Sequence, residues 1–99
     1  MALFVYDIKN SIESAVGVGA ATFSGTMAVH KAYAFASTTN CWIKQDAAAN
    51  TPVASAASGS AFVPANTVVY LDGSFGDTLS VIRDTADGKA SITPVVQTQ

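Results

Sequence analysis

Apolar and polar positions along this chain change over short distances, and the apolar ones gather in six runs: "ALFVYDI" (2–8), "TMAVHKAYAFAS" (26–37), "CWIK" (41–44), "TVVYL" (67–71), "TLSVIR" (78–83) and "ASIT" (90–93). Each run is brief, rich in β-branched and aromatic residues, and bounded by Gly, Pro, Asn or Asp, which is how strands and their turns read in a sequence. The pattern predicts an all-β fold, a small β-sandwich or barrel of about six to eight short, mainly antiparallel strands. Two Asp-Gly steps, Asp72-Gly73 and Asp87-Gly88, predict hairpin-like reversals, and "PAN" (64–66) predicts a Pro-led turn. The stretch "KNSIESAVG" (9–17) alone offers a helical turn, with Ser11 as its cap and Gly17 as its end.

Within 26–37 the alternation puts Met27, Val29, Lys31, Tyr33 and Phe35 on one face and Ala28, His30, Ala32, Ala34 and Ala36 on the other. Neither face is clearly wet, so a strand here is expected to be covered on both sides, by a second sheet or by another subunit. In the next run Cys41 shares a face with Ile43, while Trp42 shares its face with Lys44. Trp42 is either an outward anchor at an interface or a core residue, because register alone decides which side meets the core. From Ala47 to Ala61 the chain reads "AAANTPVASAASGSA", a low-complexity loop. A loop of this length is uncommon in a compact domain, so the segment either holds a weak strand near Val53 or lies against something.

Composition sets the scale. The 99 residues, 1–99, form a single β domain with one core. Of the 49% that are apolar, eighteen residues are Ala, and Leu, Ile, Val and Phe together number 24. Charged residues are only 12% against a typical share of about a quarter. Much of the surface is therefore Ala, Ser, Thr, Asn and Gly, which is readily desolvated against a neighbour. The net charge is −2, and Lys9, Lys31, Lys44, Arg83 and Lys89 are scattered, so no basic patch is expected to neutralise phosphates. No segment nears the roughly 18 apolar residues of a membrane helix, and "MALFVYDIKNS" lacks the basic start of a signal peptide. Neither a nucleic-acid nor a membrane partner is expected, and an intracellular origin fits best.

Candidate chemistry is sparse, and no cofactor, metal or catalytic residue is assigned. A Cys/His nucleophile would require His30 and Cys41, each the only one of its kind, to meet in space. Packing is the better reading of Cys41, a small hydrophobe beside Trp42, and His30 reads as a core or interface residue. One Cys and one His do not make a zinc site. "DTADG" (84–88) lacks the alternating acids and distal Glu of a calcium loop, and Gly17-Val18-Gly19 has Thr22 where a dinucleotide fingerprint needs its third Gly. The residues singled out as core or interface anchors are Tyr33, Phe35, Trp42, Phe62, Tyr70 and Phe75.

Several segments taken in order carry a family likeness. "AFASTTNCWIKQ" (34–45), the Ala/Ser/Thr/Asn stretch, "FVPANTVVYL" (62–71), "GDTLSVIR" (76–83) and "GKASITP" (88–94) together resemble small tailed-bacteriophage structural proteins, over about 33–94. That resemblance implies a virion protein, compact and present in many copies, assembled in the bacterial host cytoplasm and without enzymatic activity. The implied role is a capsid decoration or cement protein bound to the head shell, with the major capsid protein or other virion proteins as partners. It also implies a homo-oligomer, a trimer being one form. Alternatives are a neck or tail component (collar, adaptor or spike) and a carbohydrate-binding β-sandwich that stacks sugars on Trp42 or Tyr70.

Overall fold

A computed structural model describes residues 3–23, 26–56 and 59–98. It contains nine strands: β1 (Leu3–Tyr6), β2 (Ile12–Val16), β3 (Ala21–Phe23), β4 (Ala32–Ser37), β5 (Cys41–Asp46), β6 (Ala61–Val63), β7 (Val68–Asp72), β8 (Thr78–Arg83) and β9 (Gly88–Thr98). They form two wholly antiparallel sheets. In one, β9 is the spine: β4 and then β7 lie along one edge, and β1 and β2 follow one another along the opposite edge. The other runs β3-β8-β5-β6. Leaving β1 aside, the orders β2-β9-β4-β7 and β3-β8-β5-β6 are those of an eight-stranded jelly roll, two interlocked Greek keys.

The two sheets bury one core between them. Val16, Tyr33, Phe35, Ala90 and Ile92 face it from the first sheet, and Phe23, Cys41, Ile43, Val63, Leu79 and Val81 from the second. Met27, from the β3–β4 connection, closes it at one end. Tyr33 is buried with its hydroxyl accepting a hydrogen bond from the Ala28 amide at 2.7 Å, which satisfies its polar end.

Several expectations are corrected. The 26–37 run is not one strand. β4 starts only at Ala32, because the chain turns at 29–30 with His30 in the left-handed region (φ 64). Tyr33 and Phe35 keep the inward face, while Val29, His30 and Lys31 are exposed in the connection. The 9–17 stretch is chiefly strand: a short 3-10 turn at Ile8–Asn10 precedes β2, and Ser11 closes that turn at its C-terminal end through its amide instead of capping a helix start, while its hydroxyl pairs with that of Thr93 at 2.9 Å. Neither Asp-Gly step makes a hairpin. Each sits where the chain crosses between sheets, Asp72-Gly73 from β7 to β8 and Asp87-Gly88 from β8 to β9. The two-residue hairpin turn needs positive φ at glycine, and neither Gly73 nor Gly88 has it. They are used for close approach instead: a Cβ on Gly73 would stand 2.0 Å from the Ala28 carbonyl oxygen, and one on Gly88 2.6 Å from Thr38 Oγ1. The 64–66 turn does form, with Asn66 in the left-handed region that Asn tolerates (φ 61).

The loop between β5 and β6 forms no strand near Val53 among its described residues; it lies across the outer face of its own sheet. After a 3-10 turn at Ala48–Asn50 it passes over β8, where the Ala54 amide donates to Ser80 Oγ at 2.9 Å. Ser80, although it points out of the sheet, is therefore fully buried, and so is Thr78 beside it.

Candidate functional site

The sequence-derived anchors separate into four places. Tyr33 and Phe35 belong to the core. The other four lie on three surfaces that face in different directions.

The first surface is the outer face of the β3-β8-β5-β6 sheet, at the end its loop leaves open. Because Cys41 and Ile43 point inward, Trp42 points outward, which settles the register left open above. Trp42 pairs with Ile82 on β8 and Phe62 on β6, so three large apolar side chains form a row across three strands. The Trp42 and Phe62 rings meet edge to face, centroids 5.3 Å apart at 64°. Trp42 Nε1 donates to the Asp84 carboxylate at 3.1 Å, which fixes the indole, and Phe62 remains 44% exposed.

The second surface is the outer face of the other sheet. Ala32, Ala34 and Ala36 of β4 point to it, flanked in register by Val95, Thr93 and Ser91 of β9 and by Asp72, Tyr70 and Val68 of β7. Tyr6 on β1 and Tyr70 on β7 stand at opposite edges, yet their hydroxyls are 3.1 Å apart. The two rings close over the alanines, which is why Ala34 and Val95 are buried on an outward face. That mutual hydrogen bond also holds the Tyr6 phenol above its usual pKa. The rings are themselves part of the surface, Tyr70 being 54% exposed.

The third surface is the tip of the sandwich where the 26–31 and 73–76 connections meet. The His30 amide donates to Ser74 Oγ at 2.8 Å, the Ser74 amide donates to Asp72 Oδ1 at 2.8 Å, and the Gly73 amide donates to the Lys31 carbonyl at 3.0 Å. The two connections are thus tied by polar contacts while their apolar side chains point away: Phe75 is 77% exposed and Val29 63%.

His30 and Cys41 are not brought together. β4 separates them, roughly 20 Å of extended chain. Cys41 is wholly buried in the core, and burial raises its thiol pKa, so the thiolate is disfavoured. His30 is exposed rather than in the core or among the alanines, with its Nδ1 3.4 Å from Ser74 Oγ. Among the described residues no three His, Cys, Asp or Glu side chains form a group able to hold a metal ion.

Tyr6, Val29 and Ile82 were not singled out from the sequence. For Tyr6 a signal existed in the 2–8 run, but its partner Tyr70 lies 64 positions away and only sheet order joins them. Val29 reads as a strand residue in the sequence, but the turn at 29–30, with His30 left-handed, delays the strand to Ala32. Comparison with protein-family models, with curated proteins and with solved structures yields no match to this chain.

Proposed function

We propose that this chain is a bacteriophage virion structural protein, a decoration or cement protein that binds the head shell in many copies and performs no catalysis. A single observation carries the reading: large apolar side chains reach solvent on three surfaces that face apart, exposed Phe62 beside half-buried Trp42 and Ile82 on one sheet, exposed Tyr6 and Tyr70 on the other, and exposed Val29 and Phe75 at the tip. An enzyme concentrates its reactive side chains in one cleft. A protein wedged among several neighbours needs contact area in several directions, and exposed aromatic anchors are what interfaces use. The sparse charge supports the same reading, since little ionic hydration opposes contact. The jelly-roll order occurs in viral capsid and lectin domains and in cupins alike, so the fold is compatible with a shell role without selecting it.

The mechanism is mechanical. Each copy joins neighbouring shell subunits through modest contacts, a standard interface being about 1,600 Å², and many copies together resist disruption. The test adds the purified protein to heads that lack it and follows their heat disruption. An upward shift in disruption temperature, reduced by Phe75→Ser or Phe62→Ser, is expected; no shift at saturating protein overturns the proposal.

A further inference from the structure

An open groove of about 470 Å³ lies on the outer face of the β9-centred sheet, at the end away from the two tyrosines. Its size falls within the roughly 300–1,000 Å³ of small-ligand clefts. The groove follows from register: Glu13 pairs with Ser91, Ser91 with Ala36, and Ala36 with Val68, so this row crosses β2, β9, β4 and β7. Small side chains in the middle and larger ones at the ends make a trough. Lys89 adds to the Glu13 wall, and Asn66, from the turn before β7, adds to the Val68 wall.

One acidic residue at this trough, Glu13, differs from the others. Six of the seven acidic residues accept hydrogen bonds within the chain: Asp7 from Asn10, Asp46 from Ala47 and Asn50, Asp72 from Ser74, Asp77 from Ala48 and Thr78, Asp84 from Trp42 and Asp87 from Arg83. Glu13 is the exception: among the described residues its exposed carboxylate accepts no hydrogen bond, and the side chains of Asn66, Lys89 and Ser91 make none either, whereas Ser37 and Thr38 in the same groove are bonded to the Thr39 carbonyl and the Lys89 amide. One groove thus gathers a carboxylate that only accepts, an ammonium that only donates, and an amide and a hydroxyl that do both. Its charges cancel. An anion drawn by Lys89 is repelled by Glu13, and a cation drawn by Glu13 is repelled by Lys89. A neutral molecule with many hydroxyls satisfies both, donating to Glu13 while accepting from Lys89 and Asn66, with its C–H face on Ala36 and Val68. An extended peptide fits less well, because peptides pair with strand edges, whereas this trough runs across strand faces.

We propose that the groove binds a neutral saccharide. It lies apart from the Trp42, Phe62 and Phe75 surfaces, and its test needs no viral particle, so it stands or falls separately from the shell role. The experiment titrates the isotope-labelled full chain, followed by amide NMR, with neutral trisaccharides of glucose, galactose, mannose, rhamnose and N-acetylglucosamine. Inorganic phosphate and an uncharged tripeptide serve as the competing ligands. Saturable shifts at Glu13, Ala36, Asn66, Lys89 and Ser91 are expected with at least one saccharide. Glu13→Ala should weaken binding about tenfold or more, the loss of one charged hydrogen bond, Ala36→Phe should block the trough, and Trp42→Ala should change nothing. If Ala36→Phe does not fold, Glu13→Ala still decides. Absence of saturable shifts with every saccharide, tighter binding of phosphate or tripeptide, or shifts centred on Trp42 would overturn the proposal.

Discussion

Removing one hydroxyl, in Ser80→Ala, tests why a fourteen-residue Ala/Ser/Thr-rich stretch is tolerated between β5 and β6. The Ser80 side chain is fully buried on an outward face, and its Oγ accepts the Ala54 amide at 2.9 Å. Without the hydroxyl, the Ala54 amide stays buried and unsatisfied, at a cost of about 1–3 kcal/mol. What opposes release is small: Pro52 and Ala54 bury little side chain, and a buried methylene contributes about 0.8 kcal/mol. The two quantities are comparable, so the loop is expected to lift locally while the core remains intact. Its start stays tied, since the Ala48 amide still donates to Asp77, and its far end runs directly into β6. The open population should rise roughly 5- to 150-fold, the range that 1–3 kcal/mol spans. Proteolysis by an elastase, whose small specificity pocket suits Ala, tracks that population when opening is fast. Cleavage within 52–56 should accelerate accordingly, and hydrogen exchange at Ala54 with it, while the midpoint of urea unfolding changes little. Ser14→Ala, which removes only a bond to the neighbouring Ala15 carbonyl, is the control. Unchanged cleavage and exchange in Ser80→Ala would refute the docking of this loop on β8.

Three further outcomes follow from the same structure. Phe35 is fully buried at the centre of the core, so Phe35→Ala should lose about 3–5 kcal/mol in urea unfolding at equilibrium. Cys41 should resist thiol reagents in the native protein and react once unfolded, and because burial raises its pKa, stability should decline as pH rises past the ordinary thiol range. Native-state labelling at the rate of a free thiol would contradict its place in the core. Hydrogen bonds from Ser74 hold the Asp72 carboxyl below its usual pKa, and those from Asn50 and Ala47 do the same for Asp46. The stability these groups contribute is complete above the ordinary carboxylate value near 3.9 and is lost as pH falls through the lower folded values. Stability measured against pH should therefore decline more gently in Asp72→Asn below about pH 4.

Strands with strong local character were legible in the sequence. β4, β5, β7, β8 and β9 lie within or overlap the apolar runs, because Val, Ile, Tyr and Phe there suit a pleated, half-buried surface. β2, β3 and β6 were not. β2 is polar and small, "IESAV", and it holds its place through five pairings with β9, contacts some 76 positions away that no local pattern records. β3 and β6 are three residues each, too short for alternation to register. The Asp-Gly steps misled for a similar reason: the sequence displays glycine but not whether it serves a positive φ or a close backbone approach. The six aromatics could be singled out because large aromatics are few, but which of them enter the core and which reach the three surfaces depends on sheet order. The Glu13–Lys89 groove was wholly hidden, since its members come from four strands and a turn.

The central claim is that this chain acts by being held among many neighbours on a phage head. Counting its copies by quantitative mass spectrometry, against the major capsid protein, in purified particles grown from a phage genome that carries this sequence tests that proposal most directly. Hundreds of copies per particle are predicted. Twelve or fewer would move the chain to the neck or tail, and absence from the particle would contradict the account altogether.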